Sequence, residues 1–140
     1  MAQIRARKRR FGISIPEKLA QNLDKLAEKL NSNRSEIVHQ ALKEYIHDHL
    51  HYLVPHECRG VMIILGEKEH GKLFDIIENY HTIIRNYNHT HAEEHCISTL
   101  IVSGPSNKIA ELHRKLHRIP GVKIRYIPIS YDVCDDRPIY

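Results

Sequence analysis

The side chains with the most evident chemistry are His89, His91 and Cys96. Side chains of an extended strand alternate with period two, so His89 and His91 share one face. The polar run Ala92-Glu93-Glu94 predicts a short turn, and Cys96 opens the strand that returns across it. Two imidazoles and a thiol converging from such a hairpin make a borderline-soft donor set suited to nickel, copper or zinc, with a fourth ligand still needed. His95, beside the turn, is a substitute ligand.

The remaining donors read more blandly. The chain carries 12 histidines and 3 cysteines among 140 residues. Cys58, Cys96 and Cys134 are odd in number and widely spaced, unlike a disulfide framework, so reduced thiols are expected, with Cys58 and Cys134 ordinary ones. His47, His49, His51 and His56 crowd a connector that reads as solvated linker, although His47 and His51 stand four apart. His113 and His117 repeat that spacing and read as surface residues opposite an apolar stripe. No Gly-rich phosphate loop, HExxH or nucleophile elbow occurs, and the carboxylates fall mostly on solvent faces, so an enzyme is not expected.

Two different sets of elements must carry these residues. Arg5, Arg7, Lys8, Arg9 and Arg10 put +5 into the first ten residues against a chain total of +4, which leaves −1 on the rest. A basic arm on a nearly neutral body points to a polyanion, with nucleic acid ahead of a membrane. The apolar run Val61 to Leu65 is far short of the roughly 20 residues that cross a bilayer, and no secretory signal is evident, so a cytoplasmic, nucleoid-associated location is expected.

After the arm, residues 10–15 alternate, with Phe11, Ile13 and Ile15 on one face and Arg10, Gly12 and Ser14 on the other, which predicts a half-buried strand. Pro16 suits a first helical turn, and Leu19, Leu23, Leu26 and Leu30 mark an amphipathic helix over about 16–30. Asn31 suits a left-handed stop, and Asn33-Arg34-Ser35-Glu36 supplies a cap for a second helix with a stripe of Ile37, Val38, Ala41, Leu42, Tyr45 and Ile46. A lone strand with two helices has too little core to stand alone and must dimerise. Two copies would pair their strands and present Arg10, Gly12 and Ser14 to the DNA major groove.

The run RRFGISIPEKLAQNLDKLAEKLNSNRSEIVHQALKEYI resembles the ribbon-helix-helix domain of bacterial and archaeal regulators, particularly that of the NikR family. Beyond it, strand 60–65, a helix bearing Leu73, Ile76, Ile77 and Tyr80, strands 83–91 and 96–103, a helix bearing Ile109, Leu112 and Leu116, and strand 122–129 read βαββαβ. This is the ferredoxin-like arrangement, which by itself specifies no function. It is similar to the ACT-like regulatory domain of NikR, so the likeness extends over nearly the whole chain. The expected class is α+β, with an arm and ribbon-helix-helix domain at 1–50, a linker at 51–58, and an ACT-like sensing and oligomerisation domain with a C-terminal tail at 59–140.

The resemblance implies that His89, His91 and Cys96 hold Ni(II), and that His81 takes the place of the histidine given by a neighbouring subunit. It implies a planar four-coordinate site between regulatory domains of a tetramer, a dimer of dimers bound to palindromic double-stranded operator DNA. Arg10 and Ser14, with Gly12, would face the bases; Asn33, Arg34 and Ser35 would meet a phosphate; and Arg5, Arg7, Lys8 and Arg9 would add affinity that falls with salt. One departure stands out. The turn between His91 and Cys96 is one residue shorter than in the family, while Cys96 keeps its eight-position spacing to Gly104. A regulator whose nickel site has degenerated, answering to another metal or small ligand, is thus one alternative, and a cytoplasmic metal-storage protein is another.

Overall fold

The computed structural model describes residues 7–67 and 71–129, and places Arg5, Cys134 and the tail outside the described residues. The chain forms two units, divided between Leu42 and Lys43.

In the first unit, α1 (Glu17–Lys29) starts after Pro16, whose carbonyl accepts from the amides of Leu19 and Ala20 at 3.0 Å. Asn31 ends it in the left-handed conformation, φ 51°, as its type predicts. Helix α2 (Arg34–Asp48) then opens on Asn33, whose Oδ1 accepts from the Glu36 amide at 3.0 Å. That bond satisfies one of the donors a helix start leaves open. Ala27 is the buried residue of α1, whereas Leu19, Leu26 and Leu30 are exposed. Residues 10–15 form no ladder among the described residues, and Phe11 and Ile13 are 72% and 64% exposed. The expected strand is not formed among the described residues of the single chain, since a ladder requires a second strand.

The second unit is an antiparallel four-stranded sheet in the order β2-β3-β1-β4. Its strands are β1 (Glu57–Glu67), β2 (Ile84–Ala92), β3 (His95–Pro105) and β4 (Lys123–Pro128), with α3 (Gly71–Asn79) and α4 (Ser106–His117) between them. This is the βαββαβ order of an ACT-like domain. Strand β3 alternates almost perfectly, with Cys96, Ser98, Leu100, Val102 and Gly104 on the buried face. Met62, Ile64, Leu73, Leu100, Ile109, Leu112 and Leu116 fill the core between sheet and helices. A methyl group on Gly60 would overlap the Tyr126 ring, which explains why this strand position carries no side chain.

Three observations correct the sequence reading. Strand β1 takes in Glu57 and Cys58, paired with Pro105 and Gly104, so those residues are strand and not linker. A 3-10 turn, Leu50–Tyr52, buries His51 to 4% exposure instead of leaving it solvated. His113 is also buried, at 5%, because it lies four residues after Ile109 and three before Leu116, on the flank of the apolar stripe and not opposite it. His117 is exposed as expected.

Candidate metal centre and nucleic-acid interface

The β2–β3 hairpin sets the candidate metal centre. His91 pairs with Cys96, His89 with Ser98 and Tyr87 with Leu100. Ile84, three residues before Tyr87, faces the same side through its partner Val102, a spacing that regular alternation forbids. The register shift between Ile84 and Asn86 supplies the missing step: Arg85 is an extra residue, and it brings Ile84 onto the face that Tyr87, His89 and His91 share with Cys96. Glu93, at φ 57°, makes the tight turn that closes the hairpin.

His89, His91 and Cys96 bring one ligand atom each to within 4.8 Å of one another. His89 Nε2 lies 2.9 Å from Cys96 Sγ and 3.2 Å from His91 Nε2. Adjacent ligands held about 2.0 to 2.3 Å from one ion stand about 3 Å apart, so these separations fit a shared first-row metal. The second nitrogen of His89, Nδ1, meets Ser98 Oγ at 2.8 Å. With Nδ1–H donating to that hydroxyl, Nε2 presents its lone pair to the cluster. Cys96 is 2% exposed, and burial raises its thiol above the usual range. Ligation therefore displaces a proton from Cys96. The Phe74 ring of α3 sits 5.4 Å from that of His89 and walls the cluster. The shortened turn leaves the three predicted donors converging.

Ser98 and Phe74 escaped the sequence reading. Ser98 had a signal, since it stands two residues after Cys96 on the same strand face; Phe74, on a helix, had none. His81 lies apart from the cluster, exposed on the turn after α3, with Nδ1 at 3.0 Å from the Glu78 carbonyl. If Nδ1–H donates there, Nε2 faces outward as a lone pair.

In the first unit, Arg7, Lys8, Arg9, Arg10, Gly12 and Ser14 are all exposed. Asn33 caps α2 with its side chain, and Arg34 makes a two-pronged ion pair with Asp24 of α1, Nη2 to Oδ2 at 2.6 Å. That hydrogen bond holds the Asp24 carboxyl below its usual range. The guanidinium of Arg34 thus braces the two helices, a role the sequence reading did not give it.

Residues 9–48 match the family described as ribbon-helix-helix protein, copG family, and residues 67–125 match the NikR C terminal nickel binding domain. A ribbon-helix-helix module joined to an ACT-like domain with a nitrogen and sulfur donor cluster defines a DNA-binding regulator, not an enzyme. Candidate nickel-responsive regulators of Thermococcus kodakarensis and Methanocaldococcus jannaschii are 32% identical to it over 81% of this chain and 87% and 86% of theirs. One from Dictyoglomus turgidum is 32% identical over 86% of this chain and 94% of its own. The chain belongs to the NikR family of nickel-responsive transcriptional regulators. Among solved structures, an uncharacterized protein of Thermotoga maritima overlays 54% of this chain and 100% of its own, with TM-score 0.51 and 20% identity, a likeness of fold.

Proposed function

We propose that His89, His91 and Cys96 hold Ni(II) together with His81 of the partner subunit, and that the bound metal sets how two ribbon dimers sit on a palindromic operator. The observation that carries this reading is the convergence of three donors at metal-ligand spacing on one hairpin. Nickel, when bound, supplies a rigid tie between donors on different strands and different chains. Ser98 orients His89, Cys96 gives up its proton, and Phe74 shields the cluster.

Subunit association has its own support. Ile101, Val61 and Ile127 pair across three strands on the face away from the helices, with Ile97 and Leu65 beside them. Leu65, Ile101 and Ile127 are exposed there. An apolar face of this kind is covered in an assembly, here a dimer of dimers. In each ribbon, Arg10 and Ser14 read bases across Gly12, Asn33 to Ser35 offer backbone amides to a phosphate, and Arg7, Lys8 and Arg9 supply affinity that falls with salt. Metal changes DNA affinity only to the extent that it binds the DNA-competent arrangement more tightly. No helix among the described residues is long and apolar enough to cross a membrane, and the proposed location is the cytoplasm, at the nucleoid.

The test is a nickel titration followed by absorption in the thiolate-to-metal charge-transfer region. Tight binding with that absorption is expected, the band saturating near one metal per chain, and Cys96→Ser should abolish the band. An unchanged band in the variant would remove Cys96 from the metal.

A further inference from the structure

His51 and His113 lie 62 positions apart, yet His51 Nε2 is 2.9 Å from His113 Nδ1. Both rings are at least 95% buried. Tyr52 and Tyr126 flank the pair, with ring centroids 4.4 and 4.7 Å from that of His51. One of the two nitrogens carries the proton shared between them. Whichever tautomer is present, His51 Nδ1 has no hydrogen-bond partner among the described residues. An unsatisfied buried group is destabilising, so a His–His pair of this kind is a poor device for packing alone.

The pair is better suited to a cation other than the proton. Two imidazole nitrogens about 2.0 to 2.1 Å from one ion, at right angles, stand about 2.9 Å apart. Burial, reinforced by the neighbouring histidines, pulls His51 down to about 3 and His113 down to about 4, so both rings are neutral at physiological pH; the shared proton needs only to shift to the far nitrogen of its own ring for a metal to bind, and none is released to solvent. A third imidazole is at hand. The His49 ring lies 5.6 Å from that of His113 and 6.0 Å from that of His51. Its Nδ1 meets the Tyr45 carbonyl at 2.6 Å, the backbone tether that fixes a ligand histidine with Nε2 available. His51 also lines an open cleft of about 830 Å³ with His56, Glu57, Ser106 and Arg114, which gives an ion a way in.

We infer that His51 and His113, with His49 beside them as a third imidazole, form a second metal site for a divalent first-row transition ion, separate from the hairpin cluster. Its donors are all neutral nitrogens, so it favours ions of borderline softness and carries no thiolate absorption. The inference does not depend on the nickel assignment of the hairpin.

The test uses the full chain without an affinity tag. In a His91→Ala/Cys96→Ser background, which removes two of the three hairpin donors, Ni(II) titration should still give about one metal per chain. Zn(II), used as a diamagnetic probe, should shift the imidazole ¹⁵N signals of His51, His113 and His49. Adding His113→Gln should abolish that binding, while His113→Gln alone keeps the thiolate band of the other site and so reports an intact fold. A background variant that binds no Ni(II), or metal binding that leaves the His51 and His113 signals in place, would overturn the second site. Loss of the thiolate band in the wild-type chain would count against the hairpin reading alone.

Discussion

Acid should unfold the metal-free protein through His51 and His113 before its carboxylates are protonated. Both rings are neutral when folded, with pKa values near 3 and 4, whereas an unfolded histidine titrates near 6.5. Their contribution is complete above about 6.5 and is lost as pH falls from there toward the folded values, because only the unfolded chain takes up the protons. At pH 5 each histidine favours the unfolded state by about 1.5 pKa units at about 1.4 kcal/mol each, or about 2 kcal/mol. The pair therefore removes about 4 kcal/mol between pH 7.5 and 5, a large share of the roughly 5–15 kcal/mol that holds a domain together. This figure depends only on both folded values lying below 5. Urea unfolding at fixed chain concentration, with chelator, measures it: a His51→Gln/His113→Gln chain should lose about 4 kcal/mol less than the wild type over this interval. Equal losses in the two proteins would refute the reasoning, as would folded-state imidazole resonances of these residues titrating near 6.5.

Other perturbations test other parts of the chain. Gly60→Ala pushes a methyl into the Tyr126 ring and should destabilise the second unit by about 1–3 kcal/mol, read as a fall in Tm; an unchanged Tm would show that Tyr126 moves aside freely. Deleting Arg85 removes the bulge yet keeps the facing of His89 and His91, so nickel binding should survive. Deleting Thr90 puts His89 and His91 on opposite faces of the strand and should weaken nickel binding by about tenfold or more; equal affinities would contradict the register argument. Arg10→Ala should weaken binding to the preferred operator by about 1–3 kcal/mol and relax its sequence preference, whereas Arg7→Ala should weaken all DNA alike and lower the salt slope by about 1 in competition assays.

Local periodicity made much of this legible. The steps of Leu19, Leu23, Leu26 and Leu30 gave α1, the Asn-Arg-Ser-Glu run gave the start of α2, and the alternation of His89, His91 and the hairpin turn gave the donor cluster. What escaped depends on geometry without a local period. The bulge at Arg85 is one residue long and has no composition of its own, yet it lets Ile84 share the face of Tyr87, His89 and His91 across a spacing that regular alternation forbids. His51 and His113 look like solvated residues in their own segments, and only the packing of the 3-10 turn on α4 makes each the other's partner. Arg34 carries a charge that invites a phosphate, and its neighbour Asp24 could be found only once α1 and α2 were folded together.

The exposed apolar residues of the ribbon unit make protein abundance an input in its own right. Phe11, Ile13, Leu19, Leu26 and Leu30 are exposed in the single chain, and in the proposed ribbon dimer a second chain would cover them, which would make the DNA-reading surface a product of mass action. At low expression the amount of competent ribbon rises roughly as the square of chain concentration. A cell holding few copies of such a dimer would leave its operators unoccupied whatever its nickel supply, and dilution at division would lower occupancy independently of the metal.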